Sequence, residues 1–216
     1  YAYRVDPPPG RKARDVTTLD DNTTQSALSF LMRMDRALDF TDKEIHEAAR
    51  YALAAILKYQ FGSGGWPQGI RDTVDPKSCP RRKASYPDSW PRTYPGHRNY
   101  WYRPTINDNL MADMISTLFE AAEIYRDDAC RAAALRGGEF LLLAQLPEPQ
   151  PGWAQQYDYD MQPMWARKFE PPAITGGEAR GVLETLMALY RRTGDKKWIE
   201  PIPRALAYYK RSRLPG

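Results

Sequence analysis

The chain is built on a repeated unit, a helical segment that ends in glutamine followed by a loop that ends in Gly-Trp-x-Gln. The first copy has Gln60 and then Gly65-Trp66-Pro67-Gln68, and the second has Gln145 and then Gly152-Trp153-Ala154-Gln155. Repeats of this length are typical of folds in which each unit buries its apolar face only against its neighbours. With a third helix pair following, the pattern predicts a ring or solenoid of helical hairpins.

Composition indicates one domain over residues 1–216, long enough to bury a core. No apolar run could span a bilayer, so no membrane partner is expected. The net charge is only +4, from 31 basic and 27 acidic residues, and no nucleic-acid-binding motif is present. The two cysteines, Cys79 and Cys130, leave the redox compartment open. A first residue of Tyr1 without a signal peptide suggests a processed chain or an excised fragment.

Apolar periodicity predicts six helices and no strand. The predicted fold class is therefore all-α, an incomplete or small (α/α) toroid of three antiparallel helical hairpins with long loops at one end. A basic stretch rich in Pro and Gly, 61–104, is predicted to be a long loop. The first helix is expected to begin near Thr23, the second after a capping box at Thr41-Asp42-Lys43-Glu44, and the third near Asn109. The fourth is expected from Asp128 to Gln145 despite Gly137-Gly138. The fifth is expected after Thr175-Gly176-Gly177-Glu178, and the sixth from Asp195 to about Ser212.

Hairpins standing side by side bring the loops of successive units to one end. The N-termini of the first, third and fifth helices then share an end with the C-termini of the second and fourth. The unusual polar motifs all fall there, among them Asp20-Asp21-Asn22, Asn107-Asp108-Asn109 and the Trp153–Glu178 region. This loop-rich end is the predicted place of a site.

These motifs resemble the family ten polysaccharide lyases, the pectate (pectic acid) lyases with an α/α-toroid catalytic domain. The resemblance runs in order along nearly the whole chain. It is carried by Gly64-Gly65-Trp66-Pro67-Gln68, Thr105-Ile106-Asn107-Asp108, Trp153-Ala154-Gln155-Gln156-Tyr157-Asp158, Trp165-Ala166-Arg167-Lys168-Phe169-Glu170 and Gly176-Gly177-Glu178.

The resemblance implies β-elimination in a polyuronate, assisted by calcium, with an acidic polysaccharide as partner and a secreted or periplasmic location. Arg167 matches the arginine that serves the family as base, and Asp108 and Asp21 are the implied calcium ligands and further catalytic residues. Arg167 has a second possible role, because a guanidinium could simply bind the sugar carboxylate. The implied substrate-binding residues are Trp66, Gln68, Arg103, Asn107, Trp153, Asp158 and Glu178.

Three departures from the family pattern suggest a divergent or truncated member. Tyr157 stands where the family usually has His, no Lys follows closely behind Asp21, and the family has a longer link without an insertion where this chain carries its basic loop. The family fold also continues beyond the point that matches Gly216, and that C-terminal part supplies another substrate-binding arginine. Two other classes therefore stay open: a polyuronate-binding protein without turnover, and an α/α-toroid glycoside hydrolase, which would need two carboxylates flanking the bond.

Each motif also has a structural interpretation. Asp20, Asp21 and Asp108 precede helices and could serve as N-caps. Trp66 and Trp153 could wedge between helices instead of stacking on sugars. Glu178 could be a first-turn carboxylate favoured by the helix dipole. The basic run Arg81-Arg82-Lys83 could be a solvated loop or could attract an acidic substrate.

Overall fold

The computed structural model describes residues 16–96 and 99–213 and has the all-α architecture expected from the repeat. Along these residues six α-helices follow one another, and the segments outside them contain short 3₁₀ turns and one pair of two-residue antiparallel strands. The helices are α1 Thr23–Ala37, α2 Lys43–Lys58, α3 Leu110–Tyr125, α4 Asp128–Ala144, α5 Gly176–Thr193 and α6 Ile202–Arg211, and the strands are β1 Thr17–Thr18 and β2 Gly69–Ile70.

The first two helix pairs are hairpins that pack side by side around a shared core. Short turns join α1 to α2 and α3 to α4, and α1 also packs against α3. Helix α3 is apolar on most of its surface and lies in the middle of the domain, with Leu110, Met114 and Leu118 fully buried. Its central position explains why its polar face is so narrow, because a helix covered on most sides keeps only a narrow strip toward solvent.

Gly137 and Gly138 lie inside an uninterrupted α4, where the close approach of neighbouring side chains explains them. A Cβ at Gly137 would come within 2.9 Å of the Trp66 ring, and one at Gly138 within 2.8 Å of the Trp198 ring. The pair therefore lets one helix press against two tryptophans, and this packing outweighs the roughly 1 kcal/mol of helix propensity that each glycine costs.

Three local predictions are corrected by the structure. Asp42, rather than Thr41, caps α2, because its carboxylate accepts from the backbone N–H groups of Glu44 and Ile45. The sixth helix is broken: Lys196–Trp198 form a 3₁₀ turn, and α6 begins only after Pro201, which lacks the N–H that a continuous helix would use. The strand pair β1–β2 was not predicted, since two residues are too few to show alternation.

The long 61–104 loop contributes to the core through several buried side chains. Phe61, Val74, Cys79 and Ala84 are all buried in it. Cys79 and Cys130 are both free, and burial raises the pKa of each thiol to about 11, so neither is a reactive thiolate near neutral pH. Across the described residues, none of the helices is long and apolar enough to cross a membrane.

Candidate active site

The two copies of the Gly-Trp-x-Gln loop hold two copies of an acidic turn in the same way. In the first copy, Leu19 N–H donates to the Gln68 carbonyl (2.7 Å), and Gln68 Nε2 donates to Asp20 Oδ1 (3.0 Å). In the second copy, Ile106 N–H donates to the Gln155 carbonyl (2.9 Å), and Gln155 Nε2 donates to Asn107 Oδ1 (3.0 Å). The repeat seen in the sequence therefore builds a pair of matched turns.

Both turns have a left-handed backbone at their last two residues. Asp21 and Asn22 have φ of 49° and 56°, and Asp108 and Asn109 have φ of 52° and 57°. Asn and Asp tolerate this region better than other residues with a side chain. Neither α1 nor α3 has a side-chain N-cap bond from these turns, so the interpretation of the aspartates as caps is wrong.

The turns meet and place three carboxylates together. Oxygen atoms of Asp20, Asp21 and Asp108 all lie within 4.8 Å of one another. Burial raises the pKa of Asp20 and of Asp108, and the charges of the neighbouring aspartates raise both further. Carboxylates that repel one another in this way could hold a cation, whose charge would relieve the repulsion.

The chemistry of the donor set suits calcium. Calcium prefers six to eight hard oxygen ligands with flexible geometry, and the cluster offers three carboxylates, two of them exposed at Asp21 and Asp108. A further buried oxygen, Gln68 Oε1, has no hydrogen-bond partner among the described residues, and it belongs to the amide that contacts Asp20. The open side of the cluster leaves coordination positions for oxygens of a ligand.

Arg167 lies near this cluster but is held on one edge by Glu170. Arg167 Nε donates to Glu170 Oε2 (2.6 Å), its Nη2 donates to Glu170 Oε1, and its backbone N–H also donates to Oε2 (3.1 Å). The hydrogen bond to Glu170 raises the pKa of Arg167 above its ordinary value. The hydrogen bond from Arg167 lowers the pKa of Glu170. The positive charge of Arg167 opposes the rise in the pKa of Asp20 and Asp108.

Glu178 and Asn107 lie beside the cluster of Asp20, Asp21 and Asp108. The Thr175 hydroxyl donates to Glu178 Oε2, and Gln155 Nε2 makes a long contact of 3.4 Å to Oε1. Asn107 Nδ2 donates to Asp108 Oδ2 at 2.6 Å and so orients that carboxylate. Glu178 is also close enough for its charge to raise the pKa of Asp108, which places the start of α5 at the site.

Arg103 and Asp158 form a separate group. The Arg103 guanidinium carbon lies 3.7 Å from the centre of the Tyr159 ring. Asp158 accepts from the backbone N–H groups of Asp160 and Gln162, both at 2.9 Å, and so closes its own turn. These contacts place Arg103 and Asp158 apart from the three carboxylates, and their role as substrate ligands stays a prediction.

The basic run on the 61–104 loop is engaged in surface ion pairs. Arg81 pairs with Glu139, and Arg82 pairs with Asp160 at 2.6 Å. Exposed pairs of this kind contribute about 0–1 kcal/mol each. They nevertheless occupy the charges that would otherwise attract an acidic substrate, which favours the interpretation of this run as a solvated loop.

Trp66 and Trp153 are fully buried, so the prediction that they stack on sugars is wrong. The Trp66 indole N–H donates to the Ile56 carbonyl (3.0 Å), and that of Trp153 donates to the Leu141 carbonyl (2.7 Å). Both carbonyls belong to the last turns of helices, where backbone acceptors have no intrahelical partner. Each tryptophan therefore closes a helix end and fills the core.

Gln68 acts mainly as a support, because it is buried and holds Asp20. Tyr157, which replaces the usual histidine of the resembled family, is also structural. Its side chain is fully buried, its hydroxyl donates to the Ala144 carbonyl (2.7 Å), and it accepts from the Ala154 N–H (2.8 Å). A ring held this way supports the loop that carries Gln155.

Replacing Trp153 by alanine tests this assignment. We expect a loss of about 3–5 kcal/mol in the free energy of unfolding, because a fully buried indole is removed and a helix carbonyl is left without its donor. Urea unfolding measures the loss, and Phe30→Ala, which removes an aromatic side chain that is 63% exposed, is the control, expected to change stability by less than about 0.5 kcal/mol. If Trp153→Ala is as stable as the control, Trp153 is not a core residue.

Comparison with known proteins gives the family of this chain. A sequence model described as Pec_lyase, pectic acid lyase, matches residues 82–216. The chain belongs to the pectic acid lyase family. The match covers Asp108, Arg167, Glu170 and Glu178, whereas Asp20 and Asp21 lie before it and are joined to the site by the fold.

Solved structures share the architecture of this family member. A family 10 polysaccharide lyase from Cellvibrio cellulosa superposes with a TM-score of 0.68 at 21% identity, over 95% of this chain and 59% of that chain. The GH76 α-mannanase of Bacteroides thetaiotaomicron, a selenomethionine derivative, superposes with a TM-score of 0.50 at 14% identity, over 95% of this chain and 47% of that chain. At these identities the likeness shows the fold alone. A search of curated proteins found no significant match.

Three site residues escaped the sequence-based selection. Asp20 was noticed only as part of a motif, although its match with Asn107 at the same place in the repeat could have selected it. Gln155 could have been found in the same way, as the counterpart of Gln68. Glu170 was quoted within the Arg167 segment, but nothing in the sequence indicates that it folds back on that arginine.

Proposed function

We propose that this protein is a polysaccharide lyase that cleaves pectate by calcium-assisted β-elimination. The observation that carries the proposal is the convergence of Asp20, Asp21 and Asp108 beside Arg167 in a member of the pectic acid lyase family. The chain spans 59% of the length of the Cellvibrio lyase, so the activity is proposed from the site and not taken from that protein.

The reaction removes a proton from C5 of a uronate, next to its carboxylate, and expels the oxygen on C4. That proton is weakly acidic while the carboxylate keeps its full negative charge. Calcium held by Asp20, Asp21 and Asp108 would withdraw electron density from the sugar carboxylate and stabilise the enolate-like transition state. Arg167 would add a second positive charge near the same group.

One edge of the Arg167 guanidinium is hydrogen-bonded to Glu170, and this limits which of its N–H groups can bind a substrate. Its Nε and one side of Nη2 face Glu170, which leaves Nη1 and the other side of Nη2 to bind a sugar carboxylate through two parallel hydrogen bonds. Glu170 also stabilises the cation, so in this geometry Arg167 is a carboxylate-binding group. A role as base needs the guanidinium to leave Glu170 and lose its proton.

The two alternative functions remain distinguishable by one assay. Elimination creates a conjugated double bond that absorbs in the ultraviolet, hydrolysis creates reducing ends without that absorbance, and a binding protein creates neither. The assay uses polygalacturonate with calcium and with a chelator. Since the GH76 α-mannanase shares the fold, only the site chemistry separates a lyase from a hydrolase.

Calcium affinity should depend on the sugar. If a sugar carboxylate completes the coordination shell, we expect an oligogalacturonate to raise calcium affinity about 5- to 150-fold, the usual range for coupled sites. Calorimetric titration of calcium with and without the oligosaccharide measures this. Equal affinities in the two titrations would contradict a shared site, and a neutral oligosaccharide of the same length is the control.

The proposed partner is an acidic polysaccharide. The proposed location is secreted or periplasmic, because a polymer of this size is degraded outside the cytoplasm. The proposal needs no nucleic acid and no membrane. It leaves the oligomeric state open.

A further inference from the structure

Phe169 is the most exposed large apolar side chain among the described residues, and it lies beside Arg167. The residue is 73% exposed, and the Arg167 guanidinium carbon lies 4.8 Å from the centre of its ring. A single exposed apolar residue is ordinary on a protein surface. This one is unusual in its place, because it touches the arginine that is proposed to bind a sugar carboxylate. None of the roles proposed above uses Phe169.

Glu170 closes the turn that carries Phe169. The Glu170 N–H donates to the Arg167 carbonyl (2.8 Å), so residues 167–170 form a β-turn with Lys168 and Phe169 at its corner. The Glu170 carbonyl accepts from the Ala166 N–H (3.1 Å), and its carboxylate accepts from Arg167. Turn corners usually carry Gly, Pro, Asn, Asp or Ser, so the turn itself gives no reason for a phenylalanine. These hydrogen bonds fix the turn, and Lys168 and Phe169 are both exposed on it.

The turn borders the acidic cluster through Arg167. The positive charge of Arg167 opposes the rise in the pKa of Asp20 and of Asp108, so the guanidinium is close to both carboxyl groups. A sugar carboxylate held by two parallel hydrogen bonds would lie about 4 Å from the guanidinium carbon. The Phe169 ring centre lies 4.8 Å from the same carbon. A sugar bound by Arg167 and the Phe169 ring are therefore neighbours.

The Phe169 ring has surface to offer a sugar. The guanidinium covers one face of the ring, within the roughly 6 Å of a cation–π contact. The large exposed fraction of the residue leaves further ring surface accessible to a ligand. The C–H groups on one side of a pyranose pack well against an aromatic face, whose electrostatic potential is negative. Because the turn is already fixed, the entropic cost of binding is low.

Lys168 gives this corner of the turn a charge that suits an acidic sugar. Its side chain is exposed, and it forms no ion pair with the residues that the structure describes. The nearby Glu170 carboxylate is already hydrogen-bonded to Arg167, so the turn keeps a net positive charge. A uronate has a carboxylate on a ring with apolar C–H groups. A cation beside an aromatic ring matches both features.

We propose that Phe169 and Lys168 form a binding subsite for a galacturonate residue next to the one whose carboxylate Arg167 binds. Phe169 packs against the pyranose ring, and Lys168 pairs with its carboxylate. The subsite rests on the proposed function, because a polyuronate at Arg167 brings the second sugar to this turn. The protein therefore prefers stretches of the polymer in which two neighbouring residues are unesterified.

The test is calorimetric titration with tetragalacturonate in the presence of a chelator, so that no calcium-assisted turnover occurs. We expect Phe169→Leu, which keeps apolar bulk but removes the aromatic face, to raise the Kd about tenfold. Phe169→Tyr keeps the face and should stay within about twofold of the unchanged protein. Phe30→Leu makes the same change at an exposed aromatic on α1 and is the matched control, expected to leave the Kd unchanged.

A double variant separates direct contact with the sugar from an effect through Arg167. If Phe169 only orients the guanidinium, Phe169→Leu has no further effect in an Arg167→Ala background, and this result overturns the subsite. If Phe169 contacts the sugar, the Kd rises about tenfold in that background as well, which supports the subsite.

Lys168→Gln tests the charged half of the subsite. We expect the Kd for tetragalacturonate to rise about threefold at low ionic strength and the difference to vanish at high salt. The methyl-esterified tetramer should bind this variant and the unchanged protein equally. Lys196→Gln removes an exposed cation beyond the C-terminus of α5 and is the control.

Three results overturn the proposal: an unchanged Kd for tetragalacturonate in Phe169→Leu, an unchanged Kd in Lys168→Gln, and no detectable binding of tetragalacturonate to the unchanged protein. The titrations measure binding without turnover. Binding that depends on both residues, together with no elimination when calcium is supplied, would therefore support the subsite and contradict the lyase activity alone.

Discussion

Replacing Asp108 by asparagine should lower the rate of elimination on polygalacturonate by at least about 100-fold. Asp108 is an exposed member of the three-carboxylate cluster, and its oxygens lie within 4.8 Å of those of Asp20 and Asp21. Removing one charge weakens calcium binding and removes charge stabilisation from the transition state. The initial rate of absorbance increase, measured over a range of calcium concentrations, gives the effect.

The matched control for this change is Asp113→Asn. Asp113 lies one turn further along α3, and burial raises its pKa, as it does for Asp108, but Asp113 does not belong to the cluster. We expect this variant to keep its activity and its calcium dependence. Equal loss in both variants would indicate damage to α3 instead of loss of a ligand. Full activity in Asp108→Asn would remove Asp108 from the site.

Replacing Arg167 by alanine should lower elimination by about 1,000-fold or more while much of the sugar affinity remains, because other residues also bind the polymer. Arg167→Lys should fail as well, since an ammonium group has no planar fork to hold a carboxylate and Glu170 together. Arg180→Ala is the control: Arg180 is an exposed cation on α5 whose ion pair with Glu184 is long, at 3.9 Å. Rapid elimination by Arg167→Ala would show that Arg167 is not needed for catalysis.

Glu170→Gln separates the two roles of Arg167. Glu170 raises the pKa of Arg167, so its neutralisation should lower that pKa back toward the ordinary value. If Arg167 is the base, a larger neutral fraction becomes available and the alkaline rise in rate shifts to lower pH. If Arg167 only binds the carboxylate, the pH profile keeps its position and KM rises, because the arginine loses the partner that orients it. The pH dependence of kcat and KM measured together distinguishes these outcomes.

Much of the site could be predicted because its residues belong to a repeat. The Gly-Trp-x-Gln pattern marked both loops, and the acidic turns that precede α1 and α3 were predicted to lie at the same end of the domain. The repeat could not tell which side chains face the solvent. Trp66 and Trp153 looked suitable for sugar stacking, yet both are buried because their indole N–H groups are needed at helix ends. Whether a tryptophan faces ligand or core depends on neighbours distant in sequence.

The sequence by itself determined the helices, their order and the end of the domain where the polar loops gather, because apolar periodicity and turn residues act over a few neighbouring positions. Tertiary structure alone decided two other features: the convergence of Asp20 and Asp108, and the hydrogen bonding of Arg167 to Glu170. The first of these contacts links distant loops. Even the short-range pair of Arg167 and Glu170 depends on a loop conformation that no periodic pattern encodes, since irregular backbone is set by packing against the rest of the domain.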